Sequence, residues 1–187
     1  MEEAIRAFLE AVGERYPGDD LEQTPARVAE AWADDLLMGY GVEPDAELTF
    51  SRAPDGCGPV VVRCIDFSSV CVHHLLPFFG YAHVAYLPGA RLAGLSKIGR
   101  VVDAHARRMQ TQERLTAAIV ATLDRVLAPR GVLAMLEAQH TCMTRRGVRK
   151  ERSRMTTVAT AGAWATDPVA QASALALVRA VDSLDHG

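Results

Sequence analysis

The stretch Val60-Val61-Val62-Arg63-Cys64-Ile65-Asp66-Phe67 is dense in β-branched residues and predicts a strand, which delivers the chain to Cys71-Val72-His73-His74. Tyr81-Ala82-His83-Val84-Ala85-Tyr86 predicts its hairpin partner, so the Cys–His run falls in the connecting loop. From Leu95 to Leu127 the pattern turns helical in two segments. Val101 and Val102 mark the first; Leu115, Ile119, Leu123, Val126 and Leu127 share a face of the second, after a break at Gln110-Thr111. Pro129-Arg130-Gly131 ends the helix. Val132 to Ala138 then predicts a strand running out to His140 and Cys142, and Met155 to Trp164 predicts another. The order β-β-α-α-β-β describes an α+β domain in which loops from both halves carry the chemistry.

The flanks are helical. Ile5, Phe8, Leu9 and Val12 recur at helical spacing and predict an amphipathic helix ending near Tyr16-Pro17-Gly18. Thr24 is expected to cap a second helix with Pro25 at its first position. Val28, Trp32, Leu36 and Leu37 form its apolar stripe until Gly39 and Gly41 stop it. Residues 40–58 read as a loop, and a last helix is expected from about Pro168 to Leu184. The chain thus divides into a helical extension, 1–45, and one catalytic domain, 46–187.

With 187 residues and 49% hydrophobic content the chain can bury a proper core. A net charge of −3 gives no global attraction to nucleic acid or anionic membranes, so any anion site must be a local cluster. The N-terminal residues lack a positive run leading into an apolar one, and no segment approaches a membrane span, so a cytoplasmic protein is expected. Four cysteines are too few for a disulfide scaffold at this length. Cys64, in an apolar run, is expected in the core, and Cys57, in a Gly-rich turn, is expected to be an exposed thiol.

Cys71-Val72-His73-His74 and His140-Thr141-Cys142 together offer two thiolates and several imidazoles. Cys71, His74 and Cys142 make three ligands, the number that leaves a catalytic zinc one position for a water acidified to a pKa of about 7. His73 and His140 then stand beside the metal, where a hydrolase needs proton carriers. The alternative is a structural zinc closed by His73 or His140 as fourth ligand. Lysine occurs only at 97 and 150, and Lys97 sits in Gly94-Leu95-Ser96-Lys97-Ile98-Gly99-Arg100 at a predicted helix start, where N–H groups, a hydroxyl, Lys97 and Arg100 can converge on phosphate. A solvated helix face is the plain alternative. A second basic cluster, Arg145 to Lys150, follows Cys142. Glu113, in a first helical turn after Gln112, can pair with the N–H edge of a guanine-like ring or simply complement the helix dipole. His83 and His105 read as surface residues of a strand and a helix, and His186 as part of a tail.

Four blocks in order resemble the GTP cyclohydrolase I family. They are Cys71-Val72-His73-His74-Leu75-Leu76-Pro77-Phe78, Gly94 to Arg100, Gln112-Glu113-Arg114-Leu115-Thr116, and His140-Thr141-Cys142-Met143 running into Arg146-Gly147. Thr24-Pro25-Ala26-Arg27-Val28-Ala29 resembles the family's N-terminal helix motif. The resemblance implies the tunnelling fold, zinc held by Cys71, His74 and Cys142, and proton transfer by His73 and His140. It implies guanine recognition by Glu113 supported by Gln112. Ser96, Lys97, Arg100 and Arg146 are implied at the triphosphate and ribose end, joined by Arg27 of a neighbouring subunit. Sites between subunits and a homodecamer of two pentamers are also implied. The implied reaction hydrolyses C8 of GTP, expels it as formate, and recloses the rearranged ribose to give 7,8-dihydroneopterin triphosphate. The chain departs from the family pattern twice: Val72 stands where the family usually has Glu, and Glu30 where it commonly has a basic residue. Either departure fits a specialised paralogue that stops at the ring-opened formamidopyrimidine or takes another purine nucleotide. A weakly catalytic binder with structural zinc is the remaining alternative.

Overall fold

The computed structural model describes residues 1–13 and 21–179. Helix α1 (Glu2–Ala11) lies against α2 (Thr24–Glu30). α1 closes earlier than its apolar spacing suggests, because Gly13 adopts φ +71 and its N–H returns to Glu10 O. The expected end at Tyr16-Pro17-Gly18 lies outside the described residues, as do the end of the last helix near Leu184 and His186. α2 starts one residue before expectation: Gln23 takes the N-cap, and Pro25 still falls in the first turn, where its missing N–H costs nothing. The Trp32 stripe continues as a π-helical turn, Ala31–Leu36, and a 3₁₀ turn, Met38–Gly41.

The span expected to be a loop contains α3 (Pro44–Glu47) and strand β1 (Phe50–Arg52), which pairs with β4 (Arg91–Ala93). No periodic signal fits a four-residue helix or a three-residue strand, so the sequence could not show them.

The main sheet has the order β5-β2-β3-β6-β7. β2 (Val60–Cys71) and β3 (Pro77–Leu87) form the long hairpin, β6 (Gly131–His140) and β7 (Met155–Gly162) the second antiparallel pair, and β5 (Met109–Gln110) adds parallel to the end of β2. Two helices, α4 (Leu95–Ala106) and α5 (Gln112–Leu127), cover one face around Phe78, Val101, Leu115, Ile119, Leu123 and Leu136. Part of the other face is covered by α7 (Ala163–Thr166) and α8 (Pro168–Arg179), which pack Trp164, Ala174 and Val178 on Ala85, Leu133 and Met135. Trp164 therefore belongs to a helical turn after β7, not to the strand. The core elements run β-β-α-α-β-β, the α+β order expected from the sequence.

Three local expectations are corrected. Cys64 is exposed, not core, because the register shifts between Val62 and Ile65 and Cys64 takes φ +54 in the resulting bulge; alternation along the run stops there. His105 is half-buried rather than a surface residue, and its Nε2 hydrogen-bonds Thr122 Oγ1 at 3.0 Å. Cys57 is half-buried.

Candidate metal centre

One end of the sheet assembles the site, because every element that carries a candidate residue starts or stops there. Cys71 ends β2, Phe78 near the start of β3 is in register with His140 at the end of β6, Gln112 and Glu113 open α5, and β5 pairs Gln110 with Cys71. The single turn α6 (Thr141–Thr144) follows His140 directly and presents Cys142. Gly80 lets β3 and β6 come close beside this register: a Cβ there would sit 1.9 Å from Glu137 O. Thr111 caps α5, its hydroxyl accepting from Arg114 N at 3.3 Å, which contributes about 1 kcal/mol to the helix start.

Cys71, His74 and Cys142 bring one ligand atom each to within 4.8 Å of one another. Cys71 Sγ lies 3.8 Å from His74 Nδ1. Tetrahedral zinc with Zn–S of about 2.3 Å and Zn–N of about 2.1 Å requires edges of roughly 3.6–3.8 Å. The donor set therefore fits a zinc-sized cation. His73 Nδ1 is 3.9 Å from Cys71 Sγ, yet among the described residues neither His73 nor His140 joins the mutually close set. Burial first, and then the neighbouring Cys71 sulfur, push the Cys142 thiol above its ordinary pKa, with Arg146 opposing. A thiol whose ionisation burial and a neighbouring sulfur disfavour is the situation a divalent cation reverses.

His140 is half-buried and its ring stacks on Phe78, with centroids 4.4 Å apart and planes 5° from parallel. Desolvation lowers its pKa, against an opposing pull from the Glu113 carboxylate, which places Glu113 within electrostatic reach of the ring. His140 and Cys142 also line a small, mostly apolar cavity of about 170 Å³ with Met143, Thr144, Arg154 and Met155. Glu113 and Arg146 are exposed.

Gln112 is placed differently from an open base-binding side chain. It is 1% exposed, its amide nitrogen faces Leu136 O, Met155 O and Thr157 Oγ1, and its Oε1 lies 2.8 Å from His140 Nε2. The sequence carried no signal for this, since all four partners come from other elements.

Ser96, Lys97 and Arg100 occupy the first turns of α4, whereas its last turn leads into β5 beside Cys71. At about 1.5 Å per residue, Ser96 stands roughly 15 Å along the helix from that end. Arg100 pairs with Glu47 at 3.5 Å and lines a separate cavity of about 370 Å³ with Met38, Gly39, Val42, Asp103 and Arg107. Arg27 is exposed and donates to Gln23. Within one chain Ser96, Lys97 and Arg100 thus lie towards the end of α4 away from the metal candidates, whereas Arg146 stands within electrostatic reach of Cys142.

A family model for GTP cyclohydrolase I matches residues 1–179. The chain belongs to the GTP cyclohydrolase I family. GTP cyclohydrolase 1 of Deinococcus radiodurans is 43% identical over 182 residues, covering 96% of this chain and 83% of that protein. The enzyme of the same name from Rhodopirellula baltica is 46% identical over 178 residues, covering 95% and 77%. A solved archaeosine synthase QueF-Like, in its apo form, aligns over 58% of this chain and 97% of its own with a TM-score of 0.48 and 16% identity. As a GTP cyclohydrolase I family member the chain has its Cys71, His73, His74, His140 and Cys142 together at one sheet end, and no helix of its described residues is long and apolar enough to cross a membrane.

Proposed function

We propose that this protein is a zinc-dependent GTP cyclohydrolase I that opens the imidazole ring of GTP at C8, releases formate and yields 7,8-dihydroneopterin triphosphate. The observation that carries this reading is the Cys71–His74–Cys142 cluster with two further imidazoles at its rim. Bound by those three side chains, zinc supplies a Lewis acid that makes water nucleophilic at neutral pH. Glu113 accepts hydrogen bonds from N1–H and the 2-amino group of guanine and aims C8 at the metal. His73 and His140 relay protons as water adds to C8 and the C8–N9 bond breaks with a proton delivered to N9. A second water then cleaves the N7–C8 amide, leaving an amine and formate.

Ser96, Lys97, Arg100, Arg146 and Arg27 hold the triphosphate and ribose. The distance along α4 between the metal end and Ser96 supports a site completed by a neighbouring subunit, as in a homodecamer. Exposed Phe79, Tyr81 and Val158 on the sheet, Phe8 on α1 and Val12 at its C-cap are apolar surface that assembly would cover. Residues 1–45 act as the extension of a catalytic domain spanning 46–187. The thiolate ligands need a reducing compartment, which supports a cytoplasmic site of action. Metal-loaded protein incubated with GTP is expected to release formate and dihydroneopterin triphosphate in equal amounts, followed by mass spectrometry. Accumulation of the formamide alone would transfer the protein to the paralogue reading that Val72 and Glu30 raise.

A further inference from the structure

We propose that Gln112 is a positioning residue for His140, holding that ring in the tautomer protonated at Nε2, and is not a contact for the guanine base. This rests on the reading of His140 as a proton carrier. Two main-chain carbonyls fix the orientation of the Gln112 amide. Leu136 O and Met155 O lie 3.1 and 2.9 Å from Gln112 Nε2, and carbonyl oxygens only accept hydrogen bonds. The amide nitrogen must therefore face them, since the flipped amide would set Oε1 against two other acceptors in a buried site. Oε1 is thereby turned to His140 Nε2 at 2.8 Å, and because Oε1 can only accept, Nε2 carries a proton. In the neutral ring the lone pair is then on Nδ1, the nitrogen available to take a proton.

The rest of the surroundings remove the remaining freedom. Thr116 Oγ1 donates to Gln112 O at 2.7 Å and shares a 2.6 Å hydrogen bond with Thr157 Oγ1, which itself lies 3.1 Å from Gln112 Nε2. The side chain is thus tied directly to β6 and β7, and through Thr157 Oγ1 to Thr116 of its own helix. Phe78, stacked on the imidazole at 4.4 Å, fixes the ring plane while Gln112 fixes which edge faces inward. Both amide protons of Gln112 are engaged by main-chain acceptors, so the group has no donor left to offer a base.

The test is a cycle of Gln112→Met and His140→Ala, singly and together, in the metal-loaded enzyme with GTP. His140→Ala is expected to lower kcat roughly 10²-fold or more. Gln112→Met is expected to lower kcat about 10- to 100-fold with KM changed by less than about threefold, and to add less than about twofold in the His140→Ala background. A raised KM with kcat retained makes Gln112 a base contact, and additive losses make it a structural residue; either overturns the proposal. His140→Ala with unchanged turnover instead overturns the proton-carrier reading beneath it. Should Gln112→Met fail to fold, the ¹⁵N spectrum of the parent holoenzyme labelled at histidine decides, by difference against His140→Ala. The Nε2–H tautomer at His140 is expected, and the Nδ1–H tautomer overturns the proposal.

Discussion

Replacing Phe78 by Leu separates the two things this ring does. Phe78 is fully buried in the main core, meets Phe67 edge-on at 6.1 Å and 79°, and stacks on His140 at 4.4 Å. A buried swap of similar volume costs up to about 1.5 kcal/mol, and losing aromatic geometry adds about 0.5–1.5 kcal/mol. The sum is roughly 0.5–3 kcal/mol. In a chain of this length each kcal/mol lowers Tm by about 2–4 °C, so a fall of roughly 1–12 °C is expected by calorimetry of metal-loaded protein. Turnover should fall further than stability explains, by about 10-fold at a temperature where the variant is fully folded, because His140 loses the surface that fixes its plane. Phe67→Leu is the control: it removes the other half of the same ring pair without touching His140, so a similar Tm loss with near-normal kcat is expected. Equal kcat losses in the two variants, or none in Phe78→Leu, would refute the claim that the stack holds a working imidazole.

Cys142→Ser is expected to leave the dialysed protein with well under the parent's metal, about one zinc per chain, because hydroxyl is a far weaker zinc ligand than thiolate; metal analysis with full occupancy would remove Cys142 from the ligand set. His105 gives a pH signature. Burial, reinforced by Arg108 and Arg125 and opposed by Asp45, lowers its pKa from 6.5 to about 4. The unfolded chain takes up this proton below about 6.5 while the folded chain resists it until about 4, so the unfolded state binds more protons and stability is lost as pH falls through that window. The Tm of His105→Gln should therefore fall less than the parent's between pH 6.5 and 4.5, and parallel curves would contradict the buried neutral ring.

The residues of the candidate metal cluster, the long strands of the hairpin and the two core helices were legible from the sequence, because each rests on local spacing: a Cys-x-His-His run, β-branched density, or an apolar stripe every three to four residues. The pairing of His140 with Phe78 was not legible, since it is fixed by strand register across some sixty positions of chain. Cys64 defeated the alternation rule because one extra residue in a bulge turns the side chain outward, a choice made by the pairing of two strands and not by either strand alone. Gln112 shows the limit most clearly. Its position beside Glu113 suggested a shared ligand, but a glutamine amide bonds to whatever acceptors surround it, and only the packing of α5 onto β6 and β7 brings Leu136 O, Met155 O and His140 within reach. Sequence chose the reactive groups; tertiary structure decided which of them face one another, because hydrogen-bond partners and ring stacks depend on contacts between elements that no local pattern encodes.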